Sequence, residues 1–226
     1  MIKVEEINKT RIFKDGYGKK IRYFTQSIYP GYKGFDEKIV RYSGKEFREV
    51  NPERSKLVAA VAKGLSQTGI KEGSIVLYLG ASHGYTPSFV SDIVGPSGFV
   101  FSLDFAPRVV RDLVFVCEKR ENMAPMLDDA SHPENYKEIV PQVDVVYQDI
   151  AQRDQLRIFL ENCDMYLKKG GFGLLALKAR SVDVTKKPQI IFREVEEKLA
   201  KKMTIVDKRL LDPFEKDHVF FVVKKK

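Results

Sequence analysis

The sequence contains no tryptophan, three histidines and only two cysteines, Cys117 and Cys163. Two cysteines cannot build a disulfide scaffold and match no zinc-binding spacing, so they read as buried thiols in a reducing compartment. His83, His132 and His218 share no ligand spacing either, which argues against a resident metal. No apolar run approaches the roughly 20 residues of a membrane-crossing helix. The opening stretch MIKVEEINKTRIFKDG lacks the apolar centre of an export signal. A cytoplasmic protein with no membrane partner is therefore expected. Internal repeats and low-complexity linkers are absent, as are an RNA-recognition aromatic motif and a KH loop.

What is present is 226 residues, 43% hydrophobic and 31% charged, a composition with ample material for a core. The length suits one main domain with a small appendage. Lys and Arg exceed Asp and Glu by 8, which permits phosphate contacts without proving them. The basic residues are spread out, and only the tail at 224–226 forms a run.

The character of the chain changes near Val50. Before it, IRYFTQSIY and KIVRYSGKEFREV alternate apolar with polar residues between Gly- and Pro-containing turns, the pattern of short antiparallel strands. A small β-rich unit over 1–50 is expected. Beyond it, over 51–226, strands alternate with helices. Asn51 and Pro52 are placed to start a helix bearing LVAAVAKGL. Strands are expected at 74–80, 99–104, 143–148 and 171–178, and helices from about Thr86, from Pro107 and over 188–202. Apolar runs without alternation require a sheet covered on both faces. DPFEKD is too short for a helical crossover, so the last two strands should form an antiparallel hairpin at one sheet edge.

In open α/β sheets ligands sit at the carboxyl ends of strands. The first such end reads Gly80-Ala81-Ser82-His83-Gly84, where glycines let backbone approach a ligand. The second ends in Asp104, placed to accept hydrogen bonds from a ribose diol. Both features suit a nicotinamide dinucleotide or S-adenosylmethionine. A dinucleotide fingerprint needs glycine at position 82, where this chain has Ser82, and adenosylmethionine has no pyrophosphate to admit. Asp128 and Asp129 follow NMAPML, and Asp149 ends VDVVYQ. Lys178 closes GFGLLALK, an odd place for a charge, while Lys56 lies in the helix before the first strand and His218 opens the last strand. Each has a bland alternative: a snorkelling lysine, a solvated lysine, a structural histidine.

The stretches NPERSKLVAAV, VLYLGASHGYTPSFVSDIVGPSG, RENMAPMLDDASHP, VDVVYQDIAQRDQ, LALKARSVDVT and LLDPFEKDHVFFVV together resemble the archaeal fibrillarin-like RNA 2′-O-methyltransferases. The resemblance spans nearly all of the chain after Val50, and the earlier segment fits that family's small N-terminal domain. It implies a Rossmann-like class I methyltransferase sheet and S-adenosyl-L-methionine as cofactor. It also implies a catalytic set of Lys56, Asp149, Lys178 and His218, in which Lys178 is expected to be the general base, held by Asp149, with Lys56 and His218 positioning the ribose and phosphate. The implied cofactor contacts, besides Gly80, are Tyr85, Thr86, Asp104, Phe105, Asp129, Ala130, Asp149, Ile150, Ala151 and Gln152. Tyr85 and Asp104 depart from the Thr and Glu common in relatives. The implied partners are a Nop-domain scaffold, a kink-turn-binding ribosomal-protein-like subunit, a box C/D guide RNA, and target rRNA and tRNA. Rival readings are a nicotinamide-dependent oxidoreductase, a methyltransferase for small molecules or proteins, and a non-catalytic RNA-binding scaffold.

Overall fold

A computed structural model describes residues 3–226, so residues 1 and 2 of the expected 1–50 unit lie outside it. The alternating stretches before Val50 form strands β1 (Glu5–Glu6), β2 (Ile12–Asp15), β3 (Arg22–Gln26), β4 (Ile39–Tyr42) and β5 (Lys45–Val50). They pair antiparallel in the order β1-β2-β3-β5-β4. Ser43 and Gly44 join β4 to β5 with φ of 50° and 75°. Positive φ at both central residues gives the turn whose twist matches that of the strands.

The remainder of the chain alternates helix and strand. In order come α1 (Lys56–Ala62), β6 (Ile75–Leu79), α2 (Tyr85–Val94), β7 (Phe99–Asp104), α3 (Pro107–Cys117), β8 (Met123–Leu127) and β9 (Val143–Gln148). They are followed by α4 (Gln155–Tyr166), β10 (Leu167–Lys178), α5 (Ala179–Val182), α6 (Pro188–Lys202), β11 (Met203–Leu210) and β12 (His218–Lys225). The seven strands lie in the order β11-β12-β10-β9-β6-β7-β8. β6 to β10 run parallel, and β12 is antiparallel to both β10 and β11. The expected edge hairpin is present, with its second strand inserted between β10 and β11.

Neighbouring residues of these strands face opposite cores, as strand period requires. Val76, Tyr78, Val145, Tyr147, Leu174 and Ala176 join α1, α2 and α3 on one face. Leu77, Leu79, Val146, Leu175 and Leu177 join α4 and α6 on the other. In α6 the buried stripe Ile191, Val195 and Leu199 repeats every fourth residue, the helical spacing. Both cysteines are free and buried, and burial pushes the Cys117 thiol up to about 12.

One local expectation is corrected. Asn51 does not cap α1. Its side-chain oxygen accepts from the Glu53 amide at 2.9 Å and its carbonyl from the Arg54 amide at 3.0 Å, which closes a separate turn. Asn side chains compete for backbone donors in this way. The helix starts instead after Ser55, which puts Lys56 at its first position.

The small sheet is not an independent body. Ile12, Tyr23 and Val50 belong to the same core as α1 and α2. A buried ionic cluster lies across the junction. Asp92 of α2 accepts from Thr25 at 2.8 Å, from Arg48 at 2.8 Å and from Arg120 at 2.9 Å. Arg48 also donates to Glu37 through two nitrogens at 2.9 and 3.0 Å. The side chains of Arg48, Arg120 and Asp92 have no solvent exposure. Removing the shared carboxylate leaves the Arg120 guanidinium uncompensated in the interior and Arg48 with Glu37 as its one carboxylate partner among the described residues. Asp92→Ala is therefore expected to destabilise the fold by about 3–5 kcal/mol, read as a lower midpoint in chemical denaturation.

Candidate active site

The chain leaves β6 toward β7 on one side of the sheet and returns to β9 on the other. The crevice at this reversal is where an open α/β sheet receives its ligand. Gly80 follows β6 with φ of 86°. A Cβ there would stand 2.2 Å from the carbonyl oxygen of Asp149, which follows β9. Only glycine lets the two strand ends approach this closely.

The loop after Gly80 is tied to the next strand. Asp104 Oδ2 accepts from the Ser82 amide at 2.8 Å, and Oδ1 from the Ala106 amide at 3.1 Å. An ionised carboxylate offers about four acceptor positions, so two remain for a ribose diol. Asp104 is 9% exposed, which keeps water from competing for them.

Two adjoining cavities share Gly80, Ser82, Asp149, Ile150 and Ala151. The smaller, about 260 Å³, is completed by Asp104, Phe105, Ala130 and Gln152. Phe105 is 64% exposed at its rim, an aromatic face open to a flat ring such as a purine. The larger, about 580 Å³, brings together Lys56, Asp149, Lys178 and His218, with Tyr85 and Thr86 on its wall. These two lobes fit a nucleoside-bearing cofactor in the first and an acceptor in the second. Asp129 lines neither cavity. Its carboxylate accepts from the Ser131 amide at 2.9 Å, which holds its pKa below the ordinary value.

The partners within the larger lobe differ from the pairing that strand order suggests. Asp149 is bonded to Lys56, at 3.0 and 3.1 Å, rather than to Lys178. Burial works against the Lys56 charge, but the Asp149 carboxylate outweighs it and raises the lysine pKa. Lys178 is exposed, and its ammonium has no hydrogen bond to a described residue. What holds it is its backbone. Gln155, fully buried, accepts from the Lys178 amide at 3.1 Å and donates to its carbonyl at 3.2 Å. His218 lies directly across the β10–β12 pair from Lys178.

The His218 Nδ1 lies 2.7 Å from the Lys216 carbonyl. A carbonyl can only accept, so Nδ1 carries the hydrogen and Nε2 keeps its lone pair. Burial lowers the pKa of His218, assisted by the nearby Lys56 charge and opposed by the Lys216 carbonyl, Glu215 and Asp149.

Gln155, Arg54, Phe35 and Glu215 were not singled out by sequence reading. Gln155 lies within the stretch VDVVYQDIAQRDQ, but its bonds to Lys178 are visible only in three dimensions. Phe35 arrives from the small sheet, which linear spacing cannot connect to the crevice. Another cavity, about 570 Å³ between α4 and α6, holds none of the strand-end residues.

A Rossmann-like sheet with an inserted antiparallel strand, a glycine turn without a pyrophosphate fingerprint and a strand-end carboxylate tied to that turn define an S-adenosylmethionine-dependent methyltransferase. Within that class the chain belongs to the fibrillarin family, whose model, Fibrillarin, matches residues 4–226. A protein of Methanocaldococcus jannaschii named fibrillarin-like rRNA/tRNA 2′-O-methyltransferase is 49% identical over 223 residues, covering 98% of this chain and 96% of its own. The crystal structure of Aeropyrum pernix fibrillarin with natively bound S-adenosyl-L-methionine superposes with a TM-score of 0.86 at 39% identity, covering 99% of this chain and 100% of that one. A fibrillarin in complex with Nop5p superposes with a TM-score of 0.82 at 34% identity, covering 91% of this chain and 94% of that one.

Two outcomes follow from this geometry. Gly80→Ala forces a positive φ on alanine, costing about 1–2 kcal/mol, and drives its Cβ into the Asp149 carbonyl. At least a roughly tenfold loss of S-adenosylmethionine affinity is expected in calorimetry. His218 binds a proton more weakly in the folded chain than in the unfolded one. Its contribution to stability is constant above the ordinary value of 6.5 and is lost as pH falls below it. His218→Asn should therefore show a smaller drop in urea midpoint between pH 7.5 and 5.5 than the parent protein.

Proposed function

We propose that this chain is the catalytic subunit of a box C/D ribonucleoprotein, methylating ribose 2′-hydroxyls of pre-rRNA and tRNA at positions chosen by a guide RNA. Residues 51–226 are the methyltransferase domain, and residues 1–50 are a small β-rich domain beside it. A Nop-domain scaffold holds the enzyme, and a kink-turn-binding subunit holds the guide. The protein works in the cytoplasm of an archaeal cell. The observation that carries this reading is the gathering of Lys56, Asp149, Lys178 and His218 around one cavity that shares a wall with the Asp104-lined lobe. The relatives' names and the fibrillarin–Nop5p structure support the RNA substrate and the scaffold.

When bound, S-adenosylmethionine supplies a methyl group already activated by its sulfonium. The chain's own task is then to align a ribose hydroxyl and take up its proton. Gly80, Asp104, Phe105, Ala130 and residues 149–152 hold the cofactor, with Tyr85, Thr86 and Asp129 beside them. Lys178 is the base: it is fixed at its backbone by Gln155 and carries no carboxylate partner that would stabilise its protonated form. Asp149 holds Lys56 in the cavity, and Lys56 and His218 position the ribose.

A second reading rests on the hydrogen bond from His218 to Lys216. It leaves a neutral imidazole with a free Nε2 at neutral pH, so His218 itself can act as the base. The two differ in pH dependence. A lysine base gives a single-turnover rate that keeps rising with pH above neutrality. With His218 the rate is already flat above about pH 6.5.

The test is transfer of a labelled methyl group in the reconstituted particle with two guides of different sequence. The label should map to ribose and move with the guide; a label on a base, or one that ignores the guide, sinks the proposal. Lys178→Ala should lose roughly 10²–10⁴-fold in rate while still binding the cofactor. Near-normal turnover in that variant would transfer the role to His218.

A further inference from the structure

The larger cavity has a basic residue on its rim that neither the catalytic set nor the cofactor contacts include. Arg54 belongs to the turn closed by Asn51, two residues before Lys56. Its guanidinium lies over the Tyr85 ring, 4.0 Å from the centroid, and it lines the cavity alongside Lys56, Lys178 and His218. Its ion-pair partner is Asp36, from the β3–β4 connection of the small sheet. The two side chains are 43% and 79% exposed.

We propose that Arg54 is the site for a phosphodiester of the RNA acceptor next to the reacting ribose, and that Asp36 is a resident anion which this phosphate displaces. The inference rests on the RNA-methylating reading above and names the contact it requires.

Any ribose within an RNA chain carries a phosphate on each side, so an acceptor site needs cations free to meet them. Lys56 is not free, because Asp149 holds it at 3.0 Å. His218 is kept neutral by burial. His83 bonds Asp112 at 3.0 Å, and Arg180, on α5, bonds Asp217 at 3.1 Å. Lys178 is committed to the reacting hydroxyl. Arg54 is the cation left on this wall, and its only carboxylate partner among the described residues is largely in water.

An exposed ion pair contributes about 0–1 kcal/mol, whereas a guanidinium can grip a phosphate through two parallel hydrogen bonds. Exchange of Asp36 for a phosphate therefore runs downhill. Tyr85 keeps the guanidinium at the cavity edge during that exchange. Its hydroxyl accepts from the Asn51 amide at 3.1 Å, and its ring stacks edge-on with Phe35 at 5.2 Å and Phe89 at 5.0 Å. An arginine fixed over an aromatic face loses less freedom on binding than a lysine on a flexible stem. Asp36 serves as a stand-in that keeps the site charge-balanced before RNA arrives, and it discourages weaker anions from occupying it.

The two members of the pair should then act in opposite directions, which a purely structural ion pair does not do. In the reconstituted particle, Arg54→Gln should raise the KM for guide-paired RNA roughly tenfold, the scale of one charge-assisted hydrogen bond, with kcat changed far less. Asp36→Asn should lower KM several-fold. Arg54→Gln should also flatten the salt dependence of RNA binding by about one counterion. A second RNA, with one uncharged methylphosphonate linkage beside the target ribose, should raise KM for the parent enzyme and add nothing further to Arg54→Gln. Cofactor affinity in calorimetry should be equal in all three proteins, which confirms that each is folded. An unchanged KM in Arg54→Gln overturns the proposal. So does an Asp36→Asn variant that weakens RNA as Arg54→Gln does, because the pair would then be a structural strut. Penalties that simply add between the methylphosphonate and Arg54→Gln, on either side of the ribose, overturn it too. If the parent particle methylates no RNA at all, the reaction assigned above fails, and this inference falls with it.

Discussion

One wall of the crevice depends on a single carboxylate buried behind it. Asp92 sits on α2 and is shared by Arg48 of the small sheet and by Arg120 beyond α3. The helix it anchors begins at Gly84, where the glycine turn ends and Tyr85 and Thr86 enter the cavity wall. Arg48 lies on β5, and that strand runs directly into the turn carrying Arg54 and Lys56. The same arginine grips Glu37, next to Asp36 and Phe35. One ionic cluster therefore sets three segments of the crevice against one another. An apolar cluster of the same volume would stabilise the fold as well or better, because buried ions must repay their desolvation. What an apolar cluster lacks is direction. Hydrogen bonds from two guanidinium groups to one carboxylate fix the rotation of the small sheet on α2, which apolar packing leaves looser.

The crevice itself is arranged by a second consideration, the separation of charge from proton affinity. Lys56 and Asp149 neutralise each other at the meeting point of the two lobes. A neutral pair there presents dipoles rather than net charge, which suits a site that must accept a cationic sulfonium without repelling it. His218, kept neutral by burial, adds no further positive charge at the same point. Two cations stand outward, Lys178 at the strand end and Arg54 on the rim, the latter paired, among the described residues, only with the largely exposed Asp36. Positive charge thus increases from the cofactor lobe toward solvent, the direction from which a polyanion approaches.

The sheet was legible in the sequence because its strands are buried on both faces. FVFSLD, VDVVYQ and HVFFVV have no alternation to mistake for a half-exposed strand, and the strand at 99–104 falls where it was expected. The helix over 188–202 was equally plain, with proline at its start and a regular apolar stripe. Strand-end carboxylates followed from topology, and two of them, Asp104 and Asp149, line the cavities. The errors lie where a side chain chooses between partners close in energy. Asn51 could cap a helix or close a turn, and local chemistry permits both; the Tyr85 hydroxyl, which takes up the Asn51 amide, is one contact that favours the turn. Asp149 could meet Lys178 or Lys56, and only the course of α1 decides. The two hydrogen bonds between Gln155 and the Lys178 backbone and the bonds to Asp92 join residues 23 to 67 positions apart. Neither periodicity nor spacing encodes such pairings.

The chemical character of the acceptor lobe bears on how a target is chosen. Discrimination among bases relies above all on Asn and Gln, whose amides present a donor and an acceptor together, and on arginines that donate two hydrogen bonds to one base edge. The lobe is lined instead by lysine, arginine, histidine, aspartate, glutamate, tyrosine and small residues, with no Asn or Gln among the described lining. Groups of this kind recognise phosphate and ribose, which are the same in every nucleotide. A site so built can place a hydroxyl accurately and still be indifferent to sequence. Accuracy of placement raises the rate for whichever ribose is presented, so selectivity has to act before the ribose enters the lobe. In the guide-directed reading proposed above, base pairing to a guide on a common scaffold would do this, by raising the local concentration of one nucleotide over all others. The guide-directed reading and the charge-rich, amide-free cavity are thus two sides of one requirement: the less the enzyme reads, the more completely its target is set by the strand paired beside it.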